Sequence, residues 1–346
     1  MKRNIAIVAG GDSSEHEVSL RSAAGLQGWM DKTRYDVTIV ILRGRDWHTE
    51  DGCPIDRNDF SFTRGGVKHT FDFAYITIHG TPGENGILQG YLDMIGLPYS
   101  CCGVLAAALT FNKYACNHYL SAFNVRISPS ILLRKGQWTA ALKDNGQKTK
   151  WRQRIVEELG LPCFIKSNVG GSSFGCTKVK TVEDIVPAIE RAFQEGDEVI
   201  CEAFMKGTEV TCGVYKTQQN AVAFPITEVV THNEFFDYDA KYKGEVDEIT
   251  PARIPDAVRD EIQAETLRLY DIIGASGIIR VDWIITPNGK WEMENGKWEG
   301  EMPKLNLLEV NTTPGMTPTS FIPQQIRAAG LDITAVLTDI IENKFV

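Results

Sequence analysis

The first hundred residues alternate short apolar runs with helical patterns, and this alternation constrains the fold more than any other feature. Strands are predicted at Asn4–Ala9, Val37–Leu42 and Phe73–Ile78, with helices at Val18–Met30 and Ile87–Ile95. Such alternation predicts an α/β fold with a doubly wound parallel sheet. Ligands bind these sheets beyond the carboxyl ends of the strands. We therefore expect functional loops at Gly10–His16 and His79–Gly86.

Composition narrows the class of protein. The length of 346 residues favours two or three lobes. The net charge of −9 argues against a nucleic-acid-binding surface, which needs a basic face. No apolar run is long enough to span a membrane, and the opening run at Ile5–Ala9 is too brief for a signal peptide. The eight cysteines lack metal-binding spacing, so we expect free thiols in a cytoplasmic protein.

The remainder of the chain predicts two further lobes. An alanine-rich helix is expected at Val104–Ala122, and the polar segment Asn233–Thr250 is typical of a functional loop. Middle-lobe strands are predicted at Ser130–Arg134, Cys163–Lys166, Thr177–Val179 and Glu198–Ala203, with helices at Trp151–Leu159 and Val182–Gln194. Last-lobe strands are predicted at Glu209–Tyr215, Ala221–Val230, Gly277–Ile285 and Lys304–Val310, with a helix at Asp256–Ile273 and two closing helices. The predicted domains are 1–102, 103–204 and 205–346.

Two strands of the last lobe carry matching polar pairs. Arg280 and Asp282 project from one face of a predicted strand, and Glu309 and Asn311 repeat this spacing on another. A Mg²⁺ ion that bridges nucleotide phosphates needs only a few protein ligands, and carboxylate and amide oxygens are suitable ones. A salt bridge between Arg280 and an acid on the other strand explains the same pattern. The Gly/Pro-rich turn at 312–318 favours the ligand-binding interpretation, because it exposes backbone N–H groups.

Two other segments have a functional and a purely structural interpretation. Lys166 ends an apolar strand before a glycine- and serine-rich loop, which suits phosphate binding but also suits a plain hairpin. Lys113, on a predicted helix, is by itself typical of a solvated charge. Ser14 and Glu17 match a capping box, which predicts Ser14 as N-cap and puts Glu15 in the first helical turn. There Glu15 either complements the helix dipole or receives a cationic amine.

These segments together resemble the D-alanine–D-alanine ligase family of the ATP-grasp superfamily. The matching stretches are 10–19, 79–80, 83–86, 88–90, 96–99, 166 with 171–173, 236–242, 280–282 and 308–317, in family order. The resemblance implies an ATP-grasp fold with an N-terminal pre-ATP-grasp domain built on the doubly wound parallel sheet. It also implies ATP-dependent joining of two D-alanine molecules through an acyl phosphate, for peptidoglycan precursors and hence cell-wall synthesis. A homodimer is implied as well.

Site roles follow from the same resemblance. Asp282, Glu309 and Asn311 would bind two Mg²⁺ ions, for which Mn²⁺ can substitute. ATP would contact Lys113, Lys166, Ser173, Glu202, Glu209 and Lys241. The residues that would bind the two amino acids or stabilise their reaction are Glu15, His79, Ser172, Tyr242, Arg280, Gly315 and Ser320. Of these, Glu15, Ser172 and Tyr242 would form a hydrogen-bond network.

Alternatives remain open at this point. D-alanyl-D-lactate and D-alanyl-D-serine ligases are close relatives in function, and the presence of Tyr242 favours the dipeptide. The pair Gly10-Gly11 also prompts a dinucleotide-binding oxidoreductase, although the full glycine pattern is missing. A catalytically silent nucleotide-binding regulator is a third possibility.

The chain departs from the family pattern in several places. Ser167 stands where proline is usual, and Val169-Gly170 replaces a charged pair. Ala203 replaces a lysine after the expected adenine-site glutamate. The stretch 292–303 is expected to be an insertion that extends a surface turn.

Overall fold

The computed structural model describes residues 2–143, 145–170, 175–231, 246–287, 292–294, 297–299 and 302–346. In chain order its elements are β1 (Arg3–Gly10), α1 (His16–Trp29), β2 (Tyr35–Arg43), β3 (Asp46–Thr49), β4 (Ile55–Asp56), β5 (Ser61–Arg64), β6 (Val67–His69), β7 (Phe73–Ile76), α2 (Ile87–Ile95), α3 (Val104–Phe111), α4 (Lys113–Ser121), β8 (Ser130–Arg134), α5 (Lys135–Leu142), α6 (Asn145–Leu159), β9 (Cys163–Ser167), β10 (Thr177–Val179), α7 (Ile185–Ala192), β11 (Glu198–Ala203), β12 (Thr208–Lys216), β13 (Ala221–Ala223), β14 (Thr227–Thr231), β15 (Val246–Ile249), α8 (Asp256–Ile272), β16 (Gly277–Thr286), β17 (Glu292–Glu294), β18 (Lys297–Glu299), β19 (Lys304–Asn311), α9 (Phe321–Ala328) and α10 (Ile333–Glu342).

The N-terminal lobe contains the expected parallel sheet. Its strand order is β3-β2-β1-β7, with β1 parallel to both β2 and β7 and only β3 antiparallel. The buried run of β1 explains this position, because a central parallel strand is covered on both faces. The small sheet β4-β5-β6 was not expected, since strands of two to four residues are too short to show a period.

The middle lobe is an antiparallel sheet in the order β10-β9-β11-β8. Its core gathers Leu133, Ile165 and Ile189 with the apolar faces of α5, α6 and α7. The single helix predicted over 104–122 is wrong, because Asn112 separates α3 from α4 in an extended conformation. Asn112 caps α4 by accepting a hydrogen bond from the Ala115 N–H, and asparagine favours such caps over helix interiors.

The last lobe is an antiparallel sheet in the order β15-β14-β12-β16-β19, and β13 also pairs with β12. The strand predicted over 221–230 is in fact β13 and β14, which are separated around Pro225. Proline has no N–H to donate to a sheet, so the strand is interrupted there. Within the expected insertion, β17 and β18 pair as a short hairpin.

The hydrophobic cores cross the lobes. Ile5 of β1 and Leu26 of α1 lie in one buried cluster with Ile322 of α9 and Leu337 of α10. A second cluster places Leu120 of α4 with the sheet and α8 of the last lobe. Helices α9 and α10 therefore fasten the last lobe to the N-terminal lobe, and α4 packs on the last-lobe core. The boundaries at 102 and 204 stay predictions.

The α/β class and the parallel N-terminal sheet are confirmed by this architecture. All eight cysteines are free thiols. In the part of the chain that the structure describes, no helix is both long enough and apolar enough to cross a membrane.

Candidate active site

One large cavity lies where the main sheets of the three lobes meet, with a volume of about 1170 Å³. Its wall includes every described residue to which the sequence assigned a role in the site. These are Glu15, His79, Lys113, Lys166, Glu202, Glu209, Arg280, Asp282, Glu309, Asn311, Gly315 and Ser320. The cavity exceeds the range of about 300–1000 Å³ typical of small-molecule pockets, so it has room for a nucleotide and small co-substrates.

The carboxylates expected to bind metal lie together on one face of the last sheet. Antiparallel pairing of β16 with β19 sets Asp282 opposite Glu309 and Arg280 opposite Asn311. Asp282 accepts hydrogen bonds from Arg280 Nε and Nη2, both at 2.9 Å, and from Asn311 Nδ2 at 3.1 Å. Arg280 therefore does form a salt bridge, but with Asp282 of its own strand and not across strands. Two carboxylates and an amide give the oxygen donors that Mg²⁺ prefers, with phosphates completing its shell.

Lys113 is not a solvated charge. Only 12% of its side chain is exposed, and its ammonium donates to Glu309 Oε1 at 2.7 Å and to the Gly170 carbonyl at 2.8 Å. It reaches the cavity because it is the first residue of α4. This places a cation between the glycine-rich loop of the middle lobe and the predicted metal site.

A second lysine of the cavity wall lies on β9. Lys166 Nζ is 2.6 Å from Glu202 Oε2 on the neighbouring strand β11. Burial disfavours the charge on Lys166, but Glu202, with smaller contributions from Cys176 and Glu309, offsets this effect, and the pKa of the lysine is raised above its usual value. Asn117 also donates to Glu202, at 3.2 Å. The cavity wall beside this pair is apolar and aromatic, with Phe164, Ala203, Phe204, Met205 and Leu308.

The N-terminal lobe contributes two loops to the cavity. The predicted Ser14 cap is wrong, because α1 begins at His16 and Glu15 is its N-cap. Ser13, and not Ser14, makes the hydrogen bonds before the helix. Its Oγ accepts from the Glu15 N–H and donates to the His79 carbonyl at 2.7 Å. At Gly80, with φ of +74°, a Cβ would lie 2.9 Å from Ser13 Cβ. The close approach of the two loops therefore requires glycine.

A partly buried acid in this region was missed from the sequence. Glu84 accepts a hydrogen bond from the Gly80 N–H at 2.7 Å and lines the cavity. Burial raises its pKa to about 8, and the negative charges of Glu15 and Glu309 add to this effect. Burial also lowers the pKa of the neighbouring His79, which is thereby neutral at pH 7. Glu84 belongs to a segment with many polar residues, and only its position in the folded cavity wall distinguishes it from them.

The turn after β19 brings the last two predicted residues together. A Cβ at Gly315 would lie 2.9 Å from Ser320 Oγ, so the serine hydroxyl approaches the glycine backbone closely. Ser320 Oγ accepts from the Thr317 N–H at 3.1 Å and lies 2.7 Å from Thr317 Oγ1. The hydroxyl is thus fixed at the N-terminus of α9, where backbone N–H groups favour anions.

Several buried polar atoms of the cavity wall lack a partner. Among the described residues these are His79 Nε2, Ser167 Oγ, Thr211 Oγ1 and Thr313 Oγ1. Buried polar groups are nearly always hydrogen-bonded, so four such atoms without a hydrogen-bond partner in one cavity wall indicate that a polar ligand binds there. Four predicted residues, Ser172, Ser173, Lys241 and Tyr242, lie outside the described residues.

Comparison with known proteins agrees with this geometry. The family model for the D-ala D-ala ligase N-terminus matches residues 4–102, and the model for the D-ala D-ala ligase C-terminus matches residues 120–342. The chain belongs to the D-alanine–D-alanine ligase family. A D-alanine–D-alanine ligase of Bacteroides fragilis is 64% identical over the whole of both chains. One of Porphyromonas gingivalis is 50% identical over 98% of this chain and 97% of its own.

Solved structures of the ligase family share the fold. The D-alanyl-alanine synthetase A of Vibrio cholerae superposes with a TM-score of 0.82 at 28% identity, over 99% of this chain and 98% of its own. The VanG D-Ala:D-Ser ligase of Enterococcus faecalis gives 0.81 at 28% identity, over 99% of both chains. These matches confirm the expected ATP-grasp fold. They do not separate the two acceptors, because an alanine ligase and a serine ligase match almost equally well.

Proposed function

We propose that this chain joins two D-alanine molecules to D-alanyl-D-alanine for peptidoglycan precursors and converts ATP to ADP and phosphate. One observation carries the proposal: the residues predicted for ATP, metal and amino acids all line a single cavity wherever the structure describes them. Two lysines, an arginine and two carboxylates converge there, which suits charge neutralisation during phosphoryl transfer.

The nucleotide occupies the side of the cavity between the middle and last lobes. Its adenine packs against Phe164 and Phe204, with Glu202 and Glu209 serving the amine and the ribose. Lys113 and Lys166 bind the phosphates. Asp282, Glu309 and Asn311 would hold two Mg²⁺ ions, for which Mn²⁺ could substitute, and the metal would supply neutralisation of the phosphate charge.

The amino acids occupy the side toward the N-terminal lobe. Glu15 orients the ammonium of the first D-alanine, beside the neutral His79. The carboxylate of this molecule takes the γ-phosphoryl group of ATP, giving an acyl phosphate and ADP. The amine of the second D-alanine then attacks the acyl carbon, and phosphate leaves. Arg280 and the Gly315 N–H stabilise the oxyanion of that step.

The remaining predicted roles complete this scheme. Ser320 binds the carboxylate of the second D-alanine. Lys241 reaches the γ-phosphate, Ser173 contacts the nucleotide, and Ser172 and Tyr242 extend the hydrogen-bond network of Glu15. Of the predicted loop 233–250, residues Val246–Ile249 form β15 in the last sheet, and residues 233–245 lie outside the described residues. Closure of 233–245 over the site is part of the proposal, and protection of it from proteolysis by ATP is the expected sign.

We also propose that the enzyme is a cytoplasmic homodimer. Its free thiols suit a reducing compartment. Helices α2 and α3 pack together and expose Ile87, Met94 and Leu105 at 61%, 88% and 79%. An apolar surface of this kind is typical of an interface. Light scattering should show a dimer that Leu105→Glu converts to monomer, whereas Leu331→Glu on a different surface leaves it intact.

Phosphate release tests the activity directly. Purified protein with ATP, Mg²⁺ and D-alanine should release phosphate and form the dipeptide, and omission of D-alanine should stop the release. D-Serine and D-lactate are supplied as competing acceptors at neutral pH. The VanG similarity makes D-serine the acceptor of most interest. Faster turnover with D-serine or D-lactate would replace the dipeptide assignment, and nucleotide binding without turnover would indicate a regulator.

A further inference from the structure

A fully buried asparagine lies between the two lysines of the cavity. Asn168 follows β9 directly and has 0% exposure. Its Nδ2 donates to Asn112 Oδ1 at 2.9 Å and to Glu198 Oε2 at 2.8 Å, and its Oδ1 accepts from the Tyr114 N–H at 2.8 Å. Every hydrogen-bonding position of the amide donors is thus used, as a well-satisfied buried network requires.

The backbone of Asn168 makes the same connection. Its carbonyl accepts from the Lys113 N–H at 3.0 Å, and its N–H donates to the Glu198 carbonyl at 2.9 Å. The N-terminus of α4 is therefore bound to the end of β9 by both main chain and side chain. Lys113 is the first residue of α4, and Lys166 is two residues before Asn168.

Glu198 completes the network from β11. Its Oε2 accepts from Asn168 and from Asn112 Nδ2, the latter at 3.3 Å, while its Oε1 accepts from Arg134 Nε at 3.0 Å. A carboxylate acceptor strengthens both amide hydrogen bonds. Because α4 packs on the last-lobe core and β9 and β11 belong to the middle lobe, the network spans the joint between these lobes.

We propose that Asn168, with Asn112 and Glu198, is a positioning residue that fixes Lys113 relative to Lys166, so that both ammonium groups meet the phosphates of one nucleotide. This inference rests on the proposed function and deepens it. Positioning of charged groups before binding is a main source of rate enhancement in phosphoryl transfer. A network that only stabilised the fold would affect every ligand equally.

Binding of two ligands separates these roles. Calorimetry measures the affinity of a non-hydrolysable ATP analogue with Mg²⁺, and of adenosine, which has no phosphate. Asn168→Ala should weaken the analogue about tenfold or more, because buried hydrogen bonds to a charged group are lost. Adenosine should bind within about twofold of the wild type. Ile189→Val, in the core of the same lobe, controls for lost stability and should change neither affinity.

A compensating pair gives a second readout. Asn168→Asp sets a carboxylate against Glu198 and should weaken the analogue strongly. Adding Glu198→Gln removes the repulsion between the two carboxylates and supplies an amide donor to the new carboxylate at position 168, while Asn112 Oδ1 still faces a carboxylate oxygen. The second substitution should therefore restore part of the affinity, which a double-mutant cycle measures.

The possible results separate this inference from the proposed function. Equal weakening of adenosine and analogue, or no weakening of either, would overturn the positioning role. Absence of rescue by Glu198→Gln would also count against it. A wild-type protein that binds the analogue but releases no phosphate with D-alanine refutes the ligase activity alone. A wild-type protein that binds neither ligand refutes both.

Discussion

The ammonium group of Lys113 lies 2.7 Å from the Glu309 carboxylate and 2.8 Å from the Gly170 carbonyl. A cation predicted to bind phosphate thus contacts a carboxylate predicted to bind metal. Under the proposed roles, binding of nucleotide and metal together would replace this ion pair: Lys113 would contact a phosphate and Glu309 would contact the metal. If only one of the two ligands bound, either the Lys113 ammonium or the Glu309 carboxylate would lose its partner of opposite charge. We therefore expect ATP and Mg²⁺ to bind cooperatively.

Loss of the Lys113 charge is the first test of this exchange. Lys113→Met keeps much of the side-chain length but has no cation for a phosphate. We expect kcat/KM for ATP to fall at least about tenfold, which corresponds to about 1.4 kcal/mol of transition-state stabilisation. Lys135→Met, at an exposed lysine of α5 paired with Asp197, is the matched control and should leave the kinetics unchanged. Equal kinetics in both variants would exclude phosphate binding by Lys113.

Loss of a predicted metal ligand is the second test. Glu309→Gln keeps the shape of the side chain but removes its negative charge, so we expect turnover to need about tenfold more Mg²⁺. The dependence of phosphate release on Mg²⁺ concentration measures this, and circular dichroism verifies the fold. Glu265→Gln on the surface of α8 is the control. An unaltered Mg²⁺ dependence in Glu309→Gln would mean that this carboxylate is not a ligand.

Local periodicity was enough to predict the face that carries these groups. Alternation along β16 and β19 puts Arg280 with Asp282 and Glu309 with Asn311, and antiparallel pairing sets the two pairs opposite each other. The order of motifs along the chain supplied the rest of the site. Residue spacing within one strand is a local property, which is why this part of the site is visible in the sequence.

Contacts between distant segments could not be predicted in this way. In the sequence, Asn112 is one polar residue within an alanine-rich helical pattern. In the structure it ends α3, because its side chain caps α4 and accepts a hydrogen bond from Asn168. Lys113 alone reads as a surface charge because its burial depends on Glu309, nearly two hundred residues away. The shared core of β1 with α9 and α10 is equally invisible, since it depends on how separate lobes pack.

The arginine of the site should be sensitive to a change of shape at constant charge. Arg280 binds Asp282 through two N–H groups at 2.9 Å, a fork that a lysine cannot reproduce. We expect Arg280→Lys to lower kcat by about 10² or more and to change KM for ATP little, because oxyanion stabilisation is lost mainly in the transition state. Arg268→Lys, which removes a similar fork to Glu265 on the surface, is the control in steady-state assays. A fall in affinity for ATP with unchanged kcat would assign Arg280 to nucleotide binding.

The partly buried carboxyl of Glu84 should affect the stability of the nucleotide-free protein. Burial raises its pKa from about 4.5 to about 8, with Glu15 and Glu309 adding to the shift and Lys113 opposing it. Between these values the folded protein holds a proton that the unfolded chain has released, so this group makes stability fall as pH rises. Glu84→Gln cannot titrate, and its free energy of unfolding should decline less from pH 5 to pH 8 than that of the wild type. Urea denaturation at four pH values measures the difference, with the exposed Glu183→Gln as control. Parallel curves for wild type and Glu84→Gln would show that Glu84 is already ionised in the folded protein at pH 5.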